Sequence, residues 1–154
     1  MKTWVKYIME IPMKDPIIRK LRKSDIINGY TDTLQNLRQV NLNTDQIGAI
    51  LDNRPNNIET YIAIIGRKVV GTVTLIYEQK FIHAGGKVAH LEDLSVHPDH
   101  LKCGIGGKLI EYCIKAATKA KCYKLILNCD KHTKQFYKRF GFRKSNVQMR
   151  LDLA

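Results

Sequence analysis

Residues His90–Leu109, HLEDLSVHPDHLKCGIGGKL, decide how the chain is read. A β-branched strand with two adjacent acids, Glu92 and Asp93, runs into a short glycine loop. The loop opens a helix expected from about Gly106 to Ala120. Loop N–H groups and a helix N-terminus together favour an anion of the pyrophosphate type. A dinucleotide fingerprint would need G-x-G-x-x-G after the first strand, and a nucleoside-triphosphate loop would need Ser or Thr after Gly-Lys. The loop here lies mid-chain, and Gly107-Lys108 is followed by Leu109. It belongs to neither class.

Outward from this stretch, 154 residues with 44% hydrophobic content suit a single globular domain spanning 1–154. No run approaches the roughly 18 apolar residues of a membrane span. Lys6, Glu10 and Pro12 interrupt the apolar residues at the start, so residues 1–14 read as an N-terminal extension, not a signal peptide. A cytoplasmic location is the expectation. Lys and Arg number 26 against 14 Asp and Glu, a net charge of +12 that draws anionic ligands. Cys103, Cys113, Cys122 and Cys129 form no C-x-x-C pair. They read as buried structural thiols, and no metal site is expected.

The segment 15–21 reads as a first strand, with Ser24 as the cap of a helix over 25–40. Thr44 caps a second short helix. Residues 60–65 and 69–77 form a hairpin around Gly66, and 88–96 adds a third central strand. After the glycine-loop helix come a short strand over 124–128, a short helix over 132–140 ended by Gly141, and a final strand or hairpin over 142–151. The expectation is an α/β (α+β) domain with a mixed, mostly antiparallel sheet flanked by helices. Alternation would send Glu92 and Asp93 to opposite faces.

Leu101-Lys102-Cys103-Gly104-Ile105-Gly106 resembles the acetyl-CoA motif [QR]-x-x-G-x-[GA] of the GNAT N-acetyltransferases, with Leu101 replacing the leading Gln or Arg. Phe136-Tyr137-Lys138-Arg139-Phe140-Gly141-Phe142 is similar to the family's F-Y-x-x-x-G-F. Four further blocks, Lys80-Phe81-Ile82-His83, His90-Leu91-Glu92-Asp93-Leu94, the segment from Cys122 to Leu127, and Val147-Gln148-Met149, resemble the eukaryotic glucosamine-6-phosphate N-acetyltransferases in their order and spacing.

That resemblance implies a GNAT fold and direct acetyl transfer, without an acyl-enzyme, from acetyl-CoA to the 2-amino group of glucosamine 6-phosphate. The product would feed UDP-N-acetylglucosamine synthesis. It implies a homodimer with shared active sites, and no nucleic-acid or membrane partner. The main chain of Leu94, Ser95 and Val96 would hold pantetheine. The loop Lys102, Cys103, Gly104, Ile105, Gly106 and Gly107, with Thr133, would hold the rest of the cofactor. Lys80, Phe81, Ile82, His83, Glu92 and Asp93 would face the sugar. Tyr123 and Lys124 would reach its phosphate from the partner subunit, and Tyr137 would protonate the leaving thiolate. A backbone bulge near Leu94 would supply an oxyanion donor.

Asn128 stands where the family has an acid beside the amine. An amide accepts a hydrogen bond but takes no proton. Either a backbone carbonyl orients the amine, or Asp93, Asp130 or a water chain removes the proton. The family's substrate-contacting Thr and C-terminal Arg are also displaced, leaving Arg38 and Arg150 as phosphate ligands. Two rival readings stand beside this one: acetylation of protein lysines or polyamines, and a degenerate acetyl-CoA binder.

Overall fold

The computed structural model describes residues 14–153, so the expected extension lies almost wholly outside it. Five strands form one sheet in the order β1-β2-β3-β4-β5. They are β1 (Ile17–Lys20), β2 (Ile58–Ile65), β3 (Lys68–Gln79), β4 (Lys87–Val96) and β5 (Cys122–Ile126). The first four pair antiparallel, and β5 joins β4 in parallel. The mixed, mostly antiparallel sheet is therefore as expected.

The expected helix over 25–40 is broken. A 3₁₀ turn, Lys23–Asn28, ends at Gly29, whose φ of +97° no continuous helix tolerates, and α1 (Tyr30–Gln35) starts afresh. The entry cap is Arg22, with Ser24 inside the turn. Asp25 fixes this corner: its carboxylate accepts from both Arg19 guanidinium nitrogens at 2.7 Å and from the Arg22 N–H. Helix α2 (Thr44–Asp52) is capped by Asn43, not Thr44, in a reciprocal box with Gln46, and a single turn, α3 (Ile82–Gly85), separates β3 from β4.

Each face of the sheet has its own core. On one, Ile62, Ile64 and Val69 pack against Ile26, Tyr30 and Ile47. On the other, Tyr61, Ala63, Val73, Leu75 and Leu91 meet Ile105, Leu109, Ile110 and Cys113 of α4 (Ile105–Lys119). Gly71 makes this second contact close: a Cβ there would lie 2.8 Å from Ile105 and 2.9 Å from Leu109. Burial pushes the Cys113 thiol up to about 12, so it behaves as an inert core side chain. Cys129, by contrast, is exposed, which corrects its expected burial.

The final strand expected over 142–151 does not form within one chain. After α5 (Lys134–Lys138), residues 142–153 carry no helix or strand pairing. Val147, Met149, Leu151 and Leu153 alternate with polar residues and are all at least 77% exposed. The pattern is that of a half-buried strand, but β5, the sheet edge beside it, is left unpaired on its outer side.

Candidate active site

The site is built around a divergence between β4 and β5. Their parallel pairing runs from Lys87 opposite Cys122 to His90 opposite Ile126 and then stops. Strand β4 continues to Val96, so the β5-facing main chain of its second half has no strand neighbour. An extended polyamide arm fits such an edge by adding as a strand. The Asn36 side chain, just past α1, already donates to the Val96 carbonyl at 2.8 Å. A carbonyl has two lone pairs, so one remains for a ligand amide.

The bulge expected near Leu94 is present one residue earlier in its strained position. On β3 only Val73 separates Thr72 from Thr74, whereas Asp93 and Leu94 separate their β4 partners Ser95 and Glu92. Asp93 adopts φ +51°. The extra residue breaks the alternation that would have put Glu92 and Asp93 on opposite faces, and it frees backbone N–H groups from the ladder. Glu92 is half-buried and Asp93 exposed.

Beyond β4, Lys102 (φ +61°) and Gly104 (φ +79°) fold the loop tightly ahead of α4. Such positive-φ turns are the backbone form in which successive N–H groups make an anion concavity, here at the positive end of a 15-residue helix. The residues expected to seat pyrophosphate are therefore together, and exposed Leu101 beside them adds no donor. Gly106 and Gly107 admit the rings of Phe136 and Phe140, which draws α5 against this loop.

Helix α5 packs Tyr137 against the core on the α4 face, with Cys129 past the end of β5 as a neighbour. Its ring packs on Phe136 and Phe142, with centroids 5.0 and 6.0 Å apart. Burial raises the phenol above its ordinary acidity, and the neighbouring Cys129 thiol acts in the same direction. A proton-bearing hydroxyl thus sits beside the end of β5, where exposed Asn128 and Cys129 lie. Thr133 caps α5, with its hydroxyl on the Asp130 carbonyl.

The residues expected to face the sugar and its phosphate divide into two groups. Lys80 pairs with Glu78, whose other oxygen lies 2.8 Å from His90 Nε2. Those two contacts hold the Glu78 carboxyl below its usual range. The spacing of K-x-I-H hid Glu78, two residues before the lysine. The second group is Phe81, Ile82, His83, Tyr123 and Lys124, at the other end of β5 from the divergence. Phe81 and Ile82 are exposed, His83 stacks on Tyr123 at 4.6 Å, and the Lys124 ammonium lies 5.5 Å from the Tyr123 ring centre. Arg38 is exposed beyond α1. Arg150 is held by Asp152 in the unpaired tail. A single chain does not bring Tyr123, Lys124 or Arg150 to the bulge.

Sequence and structure comparisons bear on this arrangement. The Acetyltransferase (GNAT) family profile matches residues 23–142. A glucosamine 6-phosphate N-acetyltransferase of Candida albicans is 33% identical over 136 residues, which cover 85% of this chain and 91% of that one. The chain belongs to the GNAT acetyltransferases, in the glucosamine 6-phosphate N-acetyltransferase family. Glucosamine 6-phosphate N-acetyltransferase 1 of Dictyostelium discoideum is 29% identical over 140 residues, covering 88% of this chain and 89% of that one. Among solved structures, a Trypanosoma brucei acetyltransferase superposes with a TM-score of 0.84 at 31% identity, covering 90% of this chain and all of that one. The Arabidopsis thaliana glucosamine-6-phosphate N-acetyltransferase superposes at 0.86, with 92% of this chain and all of that one covered; at 24% identity that match speaks for the fold.

GNAT acetyltransferases use acetyl-CoA, and the residues here suit it: an unpaired strand edge for the arm and an anion cradle at its end. Among the described residues no three His, Cys, Asp or Glu side chains cluster as metal ligands.

Proposed function

We propose that the protein transfers acetyl from acetyl-CoA to the 2-amino group of glucosamine 6-phosphate, as a homodimer in the cytoplasm. The observation that carries the chemistry is the bulge at Asp93–Leu94 beside the β4–β5 divergence, with the glycine loop at one end and Tyr137 at its side. The bulge offers an N–H to the oxyanion that develops as the neutral amine attacks the thioester carbonyl. Tyr137 donates its proton to the departing sulfur as the C–S bond breaks. Asn128 orients the amine as a hydrogen-bond acceptor, and Asp93 or a water takes the amine proton. Much of the rate comes from positioning the two substrates, which needs no acyl-enzyme.

The homodimer reading is supported by the unpaired outer edge of β5, the alternating apolar residues 147–153, and exposed Phe81 and Ile82. Tyr123 and Lys124 on that edge suit a phosphate bound in the neighbouring subunit's site. The unpaired thiols fit a reducing compartment.

The direct test follows CoA release with glucosamine 6-phosphate, glucosamine, a lysine peptide and spermidine as acceptors. The sugar phosphate should give the highest kcat/KM. Preference for the peptide or the polyamine would overturn the substrate assignment. Absence of CoA release with all four would overturn the reading as an enzyme.

A further inference from the structure

We propose that Arg54 binds the anionic group of the acceptor sugar and sets the preference for a phosphorylated substrate. This assignment rests on the acceptor reading above and adds a residue to it that neither the motifs nor their spacing indicate.

Arg54 lies in the loop between α2 and β2 and is half-buried. Its guanidinium donates to Thr60 Oγ1 at 2.5 Å, and Thr60 Oγ1 lies 2.8 Å from Thr74 Oγ1. Both threonines are buried. Thr74 is the cross-strand partner of Glu92, immediately before the bulge. Arg54, Thr60, Thr74 and Glu92 therefore form one row across β2, β3 and β4. The row lies on the sheet face that Tyr30 covers. Burial raises the phenol of Tyr30; Arg54 acts against that shift and Asp93 with it.

Of the other cations on this side of the sheet, Arg19 is tied to Asp25 and Lys80 to Glu78, while Arg22, Arg38 and Lys68 are exposed to water. Arg54 makes no ion pair among the described residues. A half-buried guanidinium bonded to one neutral hydroxyl is an unfavourable way to hold a charge, unless a ligand supplies the counter-charge. It keeps further N–H donors in the fork geometry that fits phosphate. A cleft of about 250 Å³, lined by Arg54, Asn56, Thr60, Lys20 and Glu59, opens its flank to solvent.

Thr60 and Glu92 stand two strand spacings apart, roughly 10 Å, a distance on the scale of a hexosamine phosphate.

The experiment compares the full-length wild-type chain with Arg54→Gln and Arg54→Lys. Steady-state kinetics use glucosamine 6-phosphate, glucosamine and acetyl-CoA, and inorganic phosphate serves as competitor against the sugar phosphate. The ratio of kcat/KM for glucosamine 6-phosphate over glucosamine should fall at least tenfold in Arg54→Gln. The KM for acetyl-CoA should stay near wild type, and phosphate inhibition should weaken in parallel. Arg54→Lys should recover part of the ratio, and it carries the comparison if the Gln variant fails to fold. An unchanged ratio in a folded variant, or equal losses with both sugars, would overturn the assignment. A wild-type enzyme that does not distinguish the two sugars would overturn the acceptor reading itself, before any variant is made.

Discussion

The cofactor side and the acceptor side of this site are made differently. The cofactor side is mostly main chain: the free edge of β4, the N–H groups of the glycine loop and the start of α4. One chain holds all of it. The acceptor side is made of side chains, namely Glu92, Asp93, the Glu78–Lys80–His90 cluster and the row from Arg54. On the homodimer reading it is incomplete within one chain: Tyr123 and Lys124 sit away from the bulge, and residues 142–153 pair with no strand among the described residues. Backbone donors serve any molecule that carries the same arm, whereas side chains must match one acceptor. The cofactor side can therefore stay constant while the acceptor side changes.

Tyr137 stands between the two sides, and changing it should have the largest effect. Tyr137→Phe should lower kcat by on the order of 100-fold or more with little change in acetyl-CoA KM. Its raised phenol pKa means the proton is retained as pH rises, so the alkaline limb of the kcat profile should lie above about pH 10, the ordinary tyrosine value. Unchanged turnover, or a limb below that value that vanishes in the variant, would remove Tyr137 from the leaving-group role. Next in size is the double change Met149→Arg with Leu151→Arg. It should give monomers by sedimentation, keep CoA binding by calorimetry within a few-fold, and reduce turnover on the order of 100-fold through lost positioning. A fully active monomer would show that one chain completes the acceptor side.

Gly104→Val probes the cofactor side alone. Its φ of +79° disfavours a branched side chain by about 1–2 kcal/mol, so acetyl-CoA KM should rise about tenfold while sugar KM holds. A matching rise in sugar KM would mean that the two sides are coupled through the loop. The smallest effect is expected from Asn128→Asp. It should raise kcat several-fold at neutral pH by restoring a proton acceptor beside the amine. No change would mean that Asp93 or water already removes the proton without hindrance.

The same division explains what the sequence made legible. Glycines announce a backbone-built loop because few other residues permit it, so the loop and α4 were readable in CGIGG; the bulge came only with the family resemblance, since alternation along HLEDLSV put Glu92 and Asp93 on opposite faces. Arg54 was not readable, because its position in the row depends on the register of three strands far apart in sequence. The break at Gly29 was missed because the apolar rhythm continues through it, while backbone φ leaves no trace in periodicity. The last strand was read correctly as a pattern and wrongly as an element. Alternation records a preference for a partner strand and says nothing of which chain provides it.

Gly71 touches neither substrate, yet its bare Cα sets how low α4 rides on β3. The glycine loop is fastened to the first turn of that helix. A methyl group at position 71 would work as a shim, lifting the loop away from the bulge by a fraction of an ångström. The separation between the glycine loop and the bulge is thus gauged by a hydrogen atom on the α4 face of β3.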